Sequence, residues 1–180
     1  IDYYNRFIKK FPTVNSLAIS SEDEVFKLWE GLGYYTRARN LLKCARKVVT
    51  EFEGCFPENF KELKSLPGIG PYTAGALMSI AFNQPVPAVD GNVMRVIARH
   101  DHITEDIGLP KSKKVFEKIV EARIPEDASS FNQALMELGA LICLPRNPKC
   151  NECPVASTCY AFKNQIQQEL PVKSKKMKKK

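Results

Sequence analysis

The feature that most constrains this chain is a run of four cysteines near its C-terminus. Cys143, Cys150, Cys153 and Cys159 follow the pattern C-x6-C-x2-C-x5-C, and the other two cysteines, Cys44 and Cys55, stand far upstream. An oxidised framework would spread its cysteines along the chain, so this crowding favours a metal site in a reducing compartment. Four thiolates in a compact loop suit tetrahedral sulfur coordination, either of zinc or of the irons of a cubane cluster. Ligand type alone leaves both metals open. Arg146 and Lys149 lie in the first spacer, so a folded loop would present two cations outward to phosphate. Cys44 and Cys55 read as partly buried thiols rather than ligands.

The rest of the chain reads as helix. Ser21 with Glu24 has the form of a capping box, opening a helix that ends near Gly31. Leu41, Leu42, Ala45, Val48, Val49 and Phe52 recur at helical spacing, predicting a helix over 36–52 that Gly54 stops. Shorter helices are predicted over 58–65, 72–82, 93–100 and 113–122, with Asp90 placed as the N-cap of the third. Ser130 and Gln133 predict a second capping box before a helix through Leu141. No stretch alternates with period two for long enough to demand a sheet. The fold class is all-α. Pro85–Pro87 mark a seam, giving domains over 1–86 and 87–165, with a lysine-rich linker over 166–180.

Membrane and disordered classes are excluded: 44% of residues are apolar and 26% charged, yet no apolar run approaches the ~18 residues of a span. The net charge of +7 includes six lysines in the last eight residues, so the body carries only 7 − 6 = +1. A nucleic-acid reading must therefore rest on local features rather than on overall charge.

One local feature is Leu66-Pro67-Gly68-Ile69-Gly70-Pro71-Tyr72-Thr73. Two glycines between helices allow a tight hairpin with positive φ, and the helix that follows would offer free amides to a phosphate. This segment resembles the hairpin of the helix–hairpin–helix DNA glycosylase superfamily. Val89-Asp90-Gly91-Asn92-Val93 lies where that superfamily keeps its catalytic aspartate, and the cysteine spacing is similar to that of its iron–sulfur members, the endonuclease III relatives. Trp29-Glu30-Gly31-Leu32-Gly33-Tyr34-Tyr35 and Phe131–Ala140 resemble the adenine-specific branch, the MutY family. The resemblance implies a helical barrel domain joined to an iron–sulfur domain that holds a [4Fe–4S] cluster on the four cysteines. It further implies a monomer that acts on double-stranded DNA, removing adenine opposite 8-oxoguanine or guanine, in the cytoplasm and on the bacterial nucleoid.

The chemistry gives each residue a task. Cleaving a base from deoxyribose passes through an oxocarbenium-like state that needs an anion beside the sugar and an acid at the leaving base. By the resemblance Asp90 is that anion and Asn92 a polar pocket residue; read alone, Asp90 is a helix N-cap, and both can hold. Tyr72 stands where strand-nicking relatives carry a lysine. A phenol forms no Schiff base, so the enzyme is expected to be monofunctional. Leu32, Gly33 and Tyr34 match the loop that wedges into the base stack, and Gly68, Gly70 and Thr73 the phosphate-binding hairpin. Without the family, Tyr34 and Tyr35 read as packing residues at a helix start, Trp29 as core, and His100 and His102 as surface or capping groups. The family's general-acid glutamate lies in a segment before Ile1, and its 8-oxoguanine-recognising domain beyond Lys180. The sequence thus reads as an internal piece, expected to be weakly active or inactive alone. A thymine or uracil glycosylase for G mismatches and a non-catalytic DNA-binding module are the competing expectations.

Overall fold

A computed structural model describes residues 1–174; the lysines of 175–180 lie outside the described residues. The described residues are helical with no strand. In chain order the helices are α1 (Asp2–Lys10), α2 (Val14–Ala18), α3 (Glu22–Trp29), α4 (Thr36–Glu51), α5 (Phe60–Ser65) and α6 (Pro71–Phe82). They continue with α7 (Gly91–Asp101), α8 (Pro110–Glu121), α9 (Ala128–Glu137) and α10 (Tyr160–Lys163). A π-helical turn over Leu138–Ile142 and a 3-10 turn over Cys150–Glu152 lie between the last two. No helix among the described residues is long and apolar enough to cross a membrane.

The residues group into two compact units, Ile1–Ala74 and Gly75–Lys180. The division falls inside α6, upstream of the 86/87 division read from the sequence. In the first unit the apolar stripe of α4 (Ala38, Leu42, Ala45) meets Leu17 and Ala18 of α2 and Val25 of α3, with Phe11 closing the end. Trp29 packs against this cluster only in part. The Ser21 capping box forms in both directions: Ser21 Oγ accepts the Glu24 amide at 3.2 Å, and Glu24 Oε2 accepts the Ser21 amide at 3.1 Å. In the second unit Val89, Val93, Ile97 and Ala98 pack against Phe116 and Val120 of α8.

Three local expectations are corrected. Ser130 is not a cap: Asp127 caps α9, its carboxylate accepting the Ser130 amide at 2.9 Å, so the helix opens three residues earlier. Gln133 turns instead to Ser129. Of the hairpin glycines only Gly68 takes a positive φ, +82°; Gly70 precedes Pro71, which restricts it to extended backbone. Cys55 is exposed while Cys44 is buried, and burial pushes the Cys44 thiol up. His102 ends α7 in the left-handed conformation and stacks on Tyr160, which agrees with a capping role.

Candidate active site and metal centre

The segment Val86–Asp90 carries the aspartate and is fixed from two sides. Asn132 of α9, 1% exposed, accepts the Ala88 amide at 2.9 Å and donates to the carbonyls of Val86 at 3.3 Å and Ala128 at 3.0 Å. On the other side α6 approaches so closely that a Cβ on Gly75 would sit 2.4 Å from the Pro87 carbonyl oxygen. Asp90 then caps α7. Its Oδ1 accepts the amides of Asn92 and Val93, both at 2.8 Å, and its Oδ2 accepts Asn92 Nδ2 at 3.0 Å. Asp90, Asn92 and Arg95 line one cavity of about 400 Å³, with Pro145 and Lys173 on its wall; that size falls in the ordinary small-ligand range. Gly139 makes room for Asn92, because a Cβ there would lie 2.8 Å from Asn92 Cβ.

Two buried arginines of α7 join this cavity to the cysteine loop. Arg95 donates to Asn92 Oδ1 at 3.1 Å, to the Gly139 carbonyl at 2.6 Å and to the Cys143 carbonyl at 2.7 Å. Burial pulls its pKa below the usual value, but a guanidinium stays charged at neutral pH. Arg99, 2% exposed, donates to the carbonyls of Leu144, Pro145 and Leu170 at 2.7, 3.2 and 2.8 Å, and to Cys143 Sγ at 3.4 Å. A buried charge must be paired or fully hydrogen-bonded, and here backbone carbonyls of the loop supply the acceptors. Neither arginine nor Asn132 was singled out from the sequence. The signal for the arginines is their i,i+4 spacing among the apolar residues Val93, Val96, Ile97 and Ala98.

The loop itself is built of turns. The Cys143 amide donates to Leu138 O at 2.7 Å, Lys149 to Ile142 O at 2.9 Å, Cys153 to Cys150 O at 3.2 Å and Cys159 to Ala156 O at 3.2 Å. All four thiols are half-buried and line a single cavity with Val96, Arg99 and Phe162. Arg146 and Lys149 are exposed on the loop, Lys149 lying 4.0 Å from Glu152.

The hairpin and the aromatic loop belong to the first unit. Asn59 caps α5 by accepting the Lys61 and Glu62 amides. After Leu66 the chain turns at Gly68, where a Cβ would lie 2.9 Å from Asn40 Cβ of α4, so the position excludes other residues by both conformation and space. Gly70 and Thr73 are exposed and Tyr72 is half-buried. Tyr34 is 85% exposed at φ +49°, which overturns the packing reading for it; Tyr35 does meet Phe26 edge-on. A bulky residue held in this strained conformation with its ring in solvent points to a use outside the fold. Braces around it are local: Trp29 Nε1 donates to Gly33 O at 3.0 Å, and Arg37 donates to Leu32 O at 3.3 Å while lying over the Trp29 ring.

Comparison with known proteins reads the same elements. The family described as the HhH-GPD superfamily base excision DNA repair protein matches residues 1–126. The chain belongs to the helix–hairpin–helix superfamily of base excision DNA repair proteins. The iron–sulfur binding domain of endonuclease III matches residues 143–159 of this superfamily member. The adenine DNA glycosylase of Buchnera aphidicola subsp. Baizongia pistaciae (strain Bp) is 46% identical over 91% of this chain and 46% of its own length. That of Rattus norvegicus is 48% identical over 89% of this chain and 32% of its own length. The chain thus spans about half the length of the bacterial relatives it matches. Among solved structures, a thermostable thymine-DNA glycosylase superposes with TM-score 0.80 at 31% identity, covering 91% of this chain and 76% of that one. A non-covalent endonuclease III–DNA complex gives 0.77 at 27% identity, covering 92% and 77%.

The match over 143–159 assigns the cofactor of this superfamily member as a [4Fe–4S] cluster, and the donor set fits it. Four half-buried thiols around one cavity supply the all-sulfur donor set that such a cluster takes. Burial first, and then the neighbouring thiols, push Cys150 and Cys153 up. Cluster binding must therefore displace protons that the bare loop retains.

Proposed function

We propose that the chain removes adenine paired with 8-oxoguanine or guanine by hydrolysing its N-glycosidic bond, acting on duplex DNA inside the reducing cell interior. The observation that carries this reading is the capped Asp90 in its cavity, within a chain 46% and 48% identical to proteins named adenine DNA glycosylase. A base leaves the stack before it can enter such a cavity. As its bond to deoxyribose breaks, positive charge develops on the sugar. Asp90 meets it as a fixed anion: two amides hold Oδ1, while Oδ2, which among the described residues accepts from Asn92 Nδ2 alone, keeps lone-pair capacity for the cavity. A carboxylate about 4 Å from a cation is worth roughly 4 kcal/mol at an effective dielectric of ~20, or about a thousandfold in rate. Water completes the hydrolysis, and Tyr72 offers no amine for a covalent sugar adduct. Cys143, Cys150, Cys153 and Cys159 would hold the cluster, whose bonds to sulfur, when bound, close the loop that carries Arg146 and Lys149. Leu32, Gly33 and Tyr34 serve as the wedge, and Gly68, Gly70 and Thr73 as the phosphate clamp; the exposure of Leu32, Tyr34, Gly68, Gly70 and Thr73 supports both roles.

The test is single-turnover release of adenine from an 8-oxoguanine·A duplex by the iron-loaded chain, with Asp90→Asn alongside. Release that falls about a thousandfold in the variant supports the reading. Release of thymine from G·T in preference to adenine overturns it. If the chain alone releases nothing, a duplex with a non-cleavable adenine analogue opposite 8-oxoguanine decides. Retention above that of an A·T duplex supports the assignment, and equal retention leaves a general DNA-binding module in its place.

A further inference from the structure

The segment after α10 is fastened beside the Asp90 cavity. The Ile107 amide donates to Val172 O at 3.0 Å, and Asp106 Oδ2 accepts the Ser174 amide at 3.2 Å and the Ser174 hydroxyl. Asp106 also accepts the Gly108 amide at 2.7 Å. The Ser174 hydroxyl first, then the Gly108 amide, hold the Asp106 carboxyl below its ordinary range. Lys173 stands between the two ties. Its stem passes Gly108, 3.9 Å from where a Cβ would be, and it forms part of the wall that includes Asp90, Asn92 and Arg95.

The cations at this wall differ in what they have left to give. Arg95 is buried and spends its hydrogen bonds on Asn92, Gly139 and Cys143. Lys173 is exposed and closes no ion pair among the described residues, with Asp106 as its nearby carboxylate. A nucleotide entering the cavity brings its flanking phosphates toward the Asp90 carboxylate, which repels them. We propose that Lys173, positioned by the Asp106–Ser174 tie, binds the backbone phosphodiester of the nucleotide extruded into the Asp90 cavity; the proposal rests on reading the chain as a glycosylase. Lys173 is on this account a site-specific contact, unlike a lysine that grips any duplex.

The iron-loaded chain is tested by fluorescence anisotropy on two duplexes, one unmodified and one carrying a tetrahydrofuran abasic-site analogue. Lys173→Gln is expected to weaken binding of the abasic duplex several-fold while sparing the unmodified one. It should also reduce the slope of log K against log salt by about 0.9, the share of one phosphate. Lys173→Arg should restore both, Asp106→Ala should reproduce part of the loss with the lysine still present, and Lys118→Gln on α8 should change neither. Equal weakening on both duplexes, or none on either, overturns the proposal while leaving the glycosylase reading intact. Absence of any preference for the abasic duplex in the parent chain removes that reading and the proposal together.

Discussion

Gly75→Ala tests whether close approach of α6 to the Pro87–Ala88 backbone is what places Asp90. The added Cβ would meet the Pro87 carbonyl oxygen at 2.4 Å, its carbon at 3.2 Å and Ala88 Cα at 3.5 Å. A relaxed carbon–oxygen contact needs about 3.3 Å, so roughly 0.9 Å must be found. A flexible side chain could yield that distance, but here the obstacle is backbone, and Asn132 holds the same segment from its other side. Overpacking of this kind costs about 1–3 kcal/mol, and two backbone surfaces put the site at the upper end. Alanine returns about 1 kcal/mol of helix propensity relative to glycine, leaving a net loss near 2 kcal/mol. For a chain of this size that lowers the melting temperature by roughly 4–8 °C. Gly91→Ala is the control: the position has open space around it and no positive φ, so alanine should be neutral or stabilise by up to about 1 kcal/mol. Urea and thermal unfolding of the iron-loaded protein, followed by the visible absorbance of the cluster, report on the unit that contains both sites. Equal midpoints for Gly75→Ala and the parent, or equal losses at both glycines, would refute the reasoning.

Arg95→Gln strands one buried and two half-buried acceptors, and a buried one costs about 1–3 kcal/mol when left unpaired, so iron should pass to a chelator at least tenfold faster than from the parent. An unchanged release rate would show that the Arg95 bonds do not support the cysteine loop. Gly68→Ala must hold alanine at φ +82° against Asn40 and should cost at least about 1–2 kcal/mol, read as a lower urea midpoint. Gly70→Ala meets no neighbour and should keep the midpoint while weakening duplex binding; the reverse pattern would sink the hairpin assignment. Asp127 has its pKa held below the ordinary 3.8 by the Ser130 amide. A depressed carboxyl stabilises the fold above its unfolded pKa and loses that contribution as pH falls through the lower folded value. The gap in urea midpoint between the parent and Asp127→Ala should therefore be wider at pH 7 than at pH 3, and a constant gap would refute the cap.

What the sequence discloses is what short-range physics controls. Asp90 as an N-cap, the Ser21 box and the hairpin turn at Gly68 involve partners within four residues, and each forms as its local pattern requires. Where two local signals compete, the reading misplaces a boundary: Asp127 and Ser130 both favour capping, and the carboxylate captures the Ser130 amide because its helix then starts before the apolar stripe does. Tyr34 fails for another reason. Its composition matches packing as well as wedging, and only the left-handed backbone with 85% exposure separates them.

The supports of the candidate site are invisible because they are distant in the chain. Arg95 finds Cys143 O 48 positions away, and Asn132 finds the Ala88 amide 44 positions away. A guanidinium on an apolar helix face announces that acceptors must exist, since burying it alone would cost several kcal/mol. It does not say where they are. In this fold the acceptors are backbone carbonyls of the cysteine loop and of Gly139, groups that every sequence possesses and none displays. The consequence is physical coupling: Arg95 bonds the Cys143 carbonyl and the Asn92 side chain at once, so the cysteine loop and the position of Asn92 beside Asp90 depend on the same guanidinium.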